Sequence, residues 1–135
     1  MLATLTFDDG NTFQYEELYP ILEKYGLKAT FYLVTGTISE EGRITWREVA
    51  DLHKHRNEIG SHTHTHVNLT SISDEVLDFE LRTSLKKLEL YNVETLAYPY
   101  GRFDQRVVRF TMKYYKAGRG TFTPSEFHTK TDKMF

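Results

Sequence analysis

The chain has no cysteine. That excludes disulfide bridges and thiolate metal sites, so any metal must be held by imidazole and carboxylate. It also lacks a dominant charge. Its 17 Lys and Arg stand against 19 Asp and Glu, for a formal net charge of −2 at pH 7. With both signs dispersed there is no basic stripe to neutralise a run of phosphates, and nucleic acid is not expected as a partner. No apolar run approaches the roughly 20 residues of a membrane span. The segment from Met1 to Phe7 has none of the basic stretch, apolar core and cleavage site of a secretory signal. The chain as it stands is therefore expected in the cytoplasm, or outside it if a leader has been lost.

What is present suits one domain. In 135 residues, 39% are hydrophobic and 14% aromatic, enough for one substantial core and too little for two. A single domain over 1–135 is expected, with a polar, loose tail from about Thr123. Strand and helix signals alternate. Leu2 to Phe7 reads as a strand ending at Asp8-Asp9-Gly10. A helix from Phe13 to about Tyr25 follows, kinked or split by Pro20 and stopped by Gly26. Ala29 to Val34 is the second strand. Thr45 caps a helix from Trp46 to about His55 with Trp46, Val49, Ala50 and Leu52 inward.

Glu58 to Ser61 is a short third strand that delivers His62 to its end. Ser73 or Ser71 caps a long helix with Val76, Leu77, Leu81, Leu85 and Leu88 inward. Thr95 to Tyr98 is the fourth strand. Asp104 caps a helix from Gln105 to about Tyr115, and Ala117 to Phe122 is a fifth strand. Such alternation predicts an α/β fold with a parallel sheet or barrel and functional groups at the C-terminal strand ends.

Three segments fall at those ends: Thr6 to Gly10, Ser61 to His66, and Tyr98 to Gly101. Adjacent carboxylates such as Asp8 and Asp9 repel unless a cation or a shared proton intervenes, although Asp-Asp-Gly is also an ordinary turn sequence. His62, His64 and His66 are three of the six histidines of the chain, and two histidines four apart can reach one ion. One carboxylate with two histidines leaves coordination positions open for water and substrate, as a catalytic site requires. His62 and His66 with one carboxylate of the Asp8-Asp9 pair are thus the candidate ligands of a divalent ion, Zn²⁺ foremost with Co²⁺ or Ni²⁺ possible. His64 is not assigned as a ligand, His53 and His55 read as solvated, and Trp46, Tyr114 and Tyr115 read as packing residues.

Together the three segments resemble the polysaccharide deacetylase family, also called the NodB-homology or carbohydrate esterase 4 family. Thr6-Phe7-Asp8-Asp9-Gly10 matches its first motif, and the resemblance implies that Asp8 is the catalytic base and Asp9 a metal ligand. His62-Thr63-His64-Thr65-His66 matches the second, His-Ser/Thr-x-x-His, with His62 and His66 as ligands. Pro99-Tyr100-Gly101 resembles the third, in which the Tyr100 backbone amide helps hold the oxyanion. Many members carry an Arg two residues before that Pro to orient the base, where this chain has Ala97.

The resemblance spans roughly residues 2 to 122. It implies a distorted (β/α)₇-type barrel, here incomplete with about five strands. Two further family motifs, one supplying a histidine general acid, have no match. His128 is the only histidine after the third motif, in a context that does not fit.

The activity implied is metal-dependent hydrolysis of N-acetyl groups on an amino-sugar polymer or oligosaccharide. The alternatives are a shortened, non-catalytic fold that binds metal or glycan, and an amidohydrolase acting on a small-molecule amide. Apolar surface left open by an incomplete barrel is expected to drive association to at least a dimer.

Overall fold

A computed structural model describes residues 3–121 and the backbone of 127–129. Strand β1 (Leu5–Asp8) leads through a π-helical turn (Gln14–Leu18) into helix α1 (Tyr19–Lys24). There follow β2 (Ala29–Leu33), α2 (Trp46–Lys54), β3 (Glu58–Ser61), α3 (Asp74–Lys87), β4 (Thr95–Ala97), α4 (Gln105–Tyr114), β5 (Ala117–Arg119) and β6 (Phe127–Thr129). The strands lie in chain order in one sheet. The first five are parallel and form a curled half-barrel with its helices.

The two faces of the sheet are chemically opposed. Phe31, Leu33, Ile59 and Leu96 turn outward and are essentially inaccessible, packed in one core with Val49 and Leu52 of α2 and Leu77 and Leu81 of α3. Each such side chain contributes about 1.5–3 kcal/mol by leaving water. The alternate positions carry Thr30, Tyr32, Glu58, Gly60, Thr95 and Arg119. On this concave face Glu58 accepts hydrogen bonds from Thr30 (2.7 Å) and Thr95 (2.9 Å), and the Arg119 guanidinium lies 5.0 Å from the Tyr32 ring centroid. Strand period two thus separates an apolar layer under the helices from a polar hollow.

Local capping fixes the helix starts. Thr45 and Glu48 form a reciprocal capping box on α2, Ser73 accepts from Val76 N on α3, and Asp104 accepts from Val107 N on α4. Pro20 falls in the first turn of α1, where its missing N–H is harmless, and the preceding segment winds as a π-turn.

Several expectations need correction. Ala50 is exposed and Val76 is 44% exposed: α2 and α3 rest on the sheet along narrower stripes than their apolar residues suggest. The fifth strand ends at Arg119. Phe127–Thr129 pairs with β5 antiparallel, so the sheet is not wholly parallel and the region after Thr123 contributes to it. Leu2, Phe122, Thr123 and the side chain of His128 lie outside the described residues. No helix among the described residues is long and apolar enough to cross a membrane.

Candidate metal centre

The site forms where β1, β3 and β4 end. After β1 the chain turns through Asp9 at φ 76° and Gly10 at φ 66°. A side chain at Gly10 would meet Leu33 Cδ2 at 3.0 Å and Ile44 Cγ2 at 3.1 Å, so the left-handed turn and the lack of room both call for glycine. Arg43 braces this turn by donating to the Asp9 carbonyl and to Asn11 Oδ1, each at 3.1 Å. Gln14, nearly buried, donates to the Asp8 carbonyl at 2.5 Å.

After β3 the ladder with β2 continues into the histidine segment. His62 N donates to Leu33 O, Thr35 N to Thr63 O and Gly36 N to His64 O. The chain then doubles back through Thr63 (φ 68°) and His66 (φ 61°). This return brings the His66 ring against that of His62, with centroids 4.7 Å apart. Below it, Ser61 Oγ meets Ser84 Oγ at 2.8 Å and accepts from Tyr115 Oη at 3.0 Å and from Thr63 N at 3.2 Å. The strand end is thereby tied to α3 and to the end of α4.

Asp9, His62 and His66 converge. His66 Nε2 lies 3.1 Å from His62 Nε2, and Asp9 Oδ1 lies 3.4 Å from His62 Nε2 and 3.3 Å from His66 Nε2. The ligand atoms all lie within 4.8 Å of one another. His62 Nδ1 is 2.7 Å from the Ala97 carbonyl. A carbonyl only accepts, so Nδ1 carries the proton and Nε2 turns a bare lone pair toward the other two ligand atoms.

The bare His62 Nε2 lone pair and the Asp9 carboxylate, with His66 Nε2 beside both, repel unless a proton on His66 Nε2 or a cation lies between them. Ligands about 2.0–2.1 Å from a tetrahedral Zn²⁺ stand roughly 3.3–3.4 Å apart, close to the separations found here. The donor set fits a divalent ion of the zinc type, and the Ala97 carbonyl orients His62 as a ligand requires. Electrostatics agree. The contact with His62 foremost, against the opposing effect of partial burial, holds Asp9 below the usual carboxylate range. Burial, with the neighbouring His62 next, holds His66 below the usual imidazole value. A charged carboxylate with neutral imidazoles is the ligand form of both residue types.

Asp8 stands beside the triad and forms an ion pair with Arg119 of β5. Sequence reasoning missed this arginine. Arg119 lies opposite Ala97 in the register of β4 and β5, so the guanidinium rises one strand over from the position where many family members place theirs. The only available signal was a charged residue inside a short strand of small ones, and the register was needed to interpret it.

Tyr100 is 58% exposed, adopts φ 58°, and sets its ring 4.8 Å from that of His66. His64 turns away, with Nδ1 3.0 Å from Thr35 Oγ1. Asp8, Asp9, His62, His66 and Tyr100 are thus brought to one end of the half-barrel.

The family model for polysaccharide deacetylase matches residues 2–116. The chain belongs to the polysaccharide deacetylase family. It is 30% identical over 112 residues to a Bacillus subtilis (strain 168) protein named for polysaccharide deacetylation, covering 81% of this chain and 40% of that one. It is 32% identical over 114 residues to the poly-beta-1,6-N-acetyl-D-glucosamine N-deacetylase of Staphylococcus aureus (strain MRSA252), covering 72% and 39%.

Among solved structures, the Streptococcus pyogenes deacetylase PplD in complex with acetate superposes with a TM-score of 0.84 at 30% identity, covering 87% of this chain and 55% of that one. A polysaccharide deacetylase from Bacillus cereus superposes at 0.83 with 28% identity, covering 96% and 43%. The half-barrel is the NodB-type deacetylase fold. The chain spans about two-fifths of the length of these curated relatives.

Proposed function

We propose that the chain carries the metal-binding and base-bearing part of an N-deacetylase acting on an amino-sugar polymer. The observation that carries this reading is the convergence of Asp9, His62 and His66 within 4.8 Å beside the Asp8–Arg119 pair, in a chain of the deacetylase family. These three residues would hold the ion, Zn²⁺ foremost and Co²⁺ or Ni²⁺ by the same donor chemistry. When bound, a divalent ion lowers the pKa of a water and polarises a carbonyl.

The chain's own residues supply the rest. Asp8, fixed by Arg119, accepts the proton of the attacking water. The Tyr100 backbone amide donates to the oxygen that becomes negative as the amide carbon turns tetrahedral. Asp8 then returns its proton to the departing amine, and acetate leaves.

Poly-β-1,6-N-acetylglucosamine is the first substrate to try, because the similar Staphylococcus aureus protein is named for it.

The test is acetate release from N-acetylglucosamine oligomers by metal-stripped protein, with and without Zn²⁺ or Co²⁺, alongside Asp8→Asn. Metal-dependent release abolished by Asp8→Asn is expected. Release unaffected by chelation, or full release by Asp8→Asn, would overturn the assignment.

A further inference from the structure

The segment between the two candidate histidine ligands, Thr63-His64-Thr65, is gripped by one side chain from outside the site. Glu80, in the middle of α3, is 2% exposed. Its Oε2 accepts the N–H of His64 at 2.9 Å and that of Thr65 at 2.8 Å, while Oε1 accepts the Thr65 hydroxyl at 2.6 Å. Among the described ion pairs no Lys, Arg or His pairs with it. A buried carboxylate without a cation is costly unless donors saturate it. Here three donors do so, and all three come from the two residues midway between His62 and His66.

That placement has a geometric consequence. Thr63 and His66 both adopt positive φ, at 68° and 61°, a region that non-glycine residues enter only when their surroundings over-determine it. Thr63 is fixed by the Ser61 contact and its pairing with Thr35. His66 N reaches back to Thr63 Oγ1 at 3.1 Å. The peptides of residues 64 and 65 complete the return, and their N–H groups both point at Glu80. If the grip on these two peptides is lost, the His66 ring is free to relax away from His62 and Asp9.

We propose that Glu80 is a positioning residue for the metal centre: by clamping His64 N, Thr65 N and the Thr65 hydroxyl it holds His66 in register with His62 and raises metal affinity without touching the ion. This rests on the reading that Asp9, His62 and His66 bind a divalent cation. Glu80→Gln keeps the shape but turns an NH₂ toward one set of donors, either the paired N–H groups or the hydroxyl. Thr65→Val removes one donor from an exposed residue and leaves the core intact.

The experiment is a Co²⁺ titration of the full chain, read by visible absorption, for wild type, Glu80→Gln and Thr65→Val, with thermal melting of each metal-free form. Wild type is expected to bind one Co²⁺. Glu80→Gln should stay folded when metal-free, melting somewhat lower because its NH₂ faces donors, and bind Co²⁺ about tenfold to a hundredfold more weakly, the range typical of lost outer contacts, with an altered d–d band. Thr65→Val should lose affinity in the same direction and by less; it carries the test if Glu80→Gln does not fold. Binding by both variants within about twofold of wild type would overturn the inference while leaving the metal centre standing. So would weaker binding by Glu80→Gln whose metal-free form is unfolded at the titration temperature, with Thr65→Val at wild-type affinity. No binding by wild type would overturn the metal reading, and this inference with it.

Discussion

Replacing Arg119 by methionine removes the cation that holds Asp8 and keeps most of the volume. The two side chains of the pair are 19% and 30% exposed, so the interaction lies between a solvent-screened surface pair, worth at most about 1 kcal/mol, and a fully buried one whose disruption costs about 3–5 kcal/mol. That range concerns folding; for catalysis the cost is that of a misplaced base, on the order of a hundredfold for a shift of about 1 Å, or about 2–3 kcal/mol of transition-state stabilisation. At 1.36 kcal/mol per tenfold this corresponds to a fall of roughly 30- to 150-fold in kcat/KM.

Arg119 also donates to the Gly120 carbonyl at 3.3 Å and lies over the Tyr32 ring, which fixes the direction of the guanidinium. Lysine has neither the planar fork nor that reach, so Arg119→Lys should recover only part of the loss. The assay is acetate release under subsaturating substrate, with Co²⁺ affinity measured in parallel to show that Asp9, His62 and His66 are undisturbed. A kcat/KM within about threefold of wild type, with intact metal binding, would refute the assignment of Arg119 to Asp8.

Chelation should destabilise the protein, because an ion that binds only the folded state stabilises it by about 2.7 kcal/mol at a free concentration of 100 Kd; a Tm unchanged by added Zn²⁺ and by chelator would contradict this. Burial holds Tyr98 and Tyr115 up to about 12, against about 10 in the unfolded chain. The folded state therefore retains these protons longer, and their contribution is fully present below pH 10 and lost as pH rises to about 12. The loss is up to about 2.7 kcal/mol for each. Urea midpoints should fall across pH 10–12, and the slope should flatten in Tyr115→Phe; equal slopes would count against the buried phenol. Light scattering on a size-exclusion column should report at least a dimer, and a clean monomer would sink that expectation.

Much of the fold was legible because its signals are local. Thr45 with Glu48, Ser73 and Asp104 announce helix starts through side-chain caps that operate within three residues. Glu58–Ser61 reads as a strand from its own residues. The faces of the helices were less legible. Val76 and Ala50 have the right spacing, but burial depends on where the sheet lies beneath, which is a tertiary fact. The antiparallel pairing of Phe127–Thr129 with β5 is likewise set by the neighbouring strand, and nothing in Phe-His-Thr announces it.

The same division runs through the site. Asp8, Asp9, His62 and His66 could be singled out because metal and base chemistry demands particular residue types at short spacing. The residues that hold them could not. Glu80 looks like any acidic residue on a solvated helix until α3 carries it under the histidine return. Arg119 acquires meaning only when the β4–β5 register sets it beside Ala97 and across from Asp8. The candidate ligands and base are constrained by chemistry that is written locally. Their supports are constrained only by geometry, which any charged residue of suitable reach can satisfy from another strand or helix. An arginine missing from one strand is therefore weak grounds for calling such a site impaired until the strands beside it have been searched for its replacement.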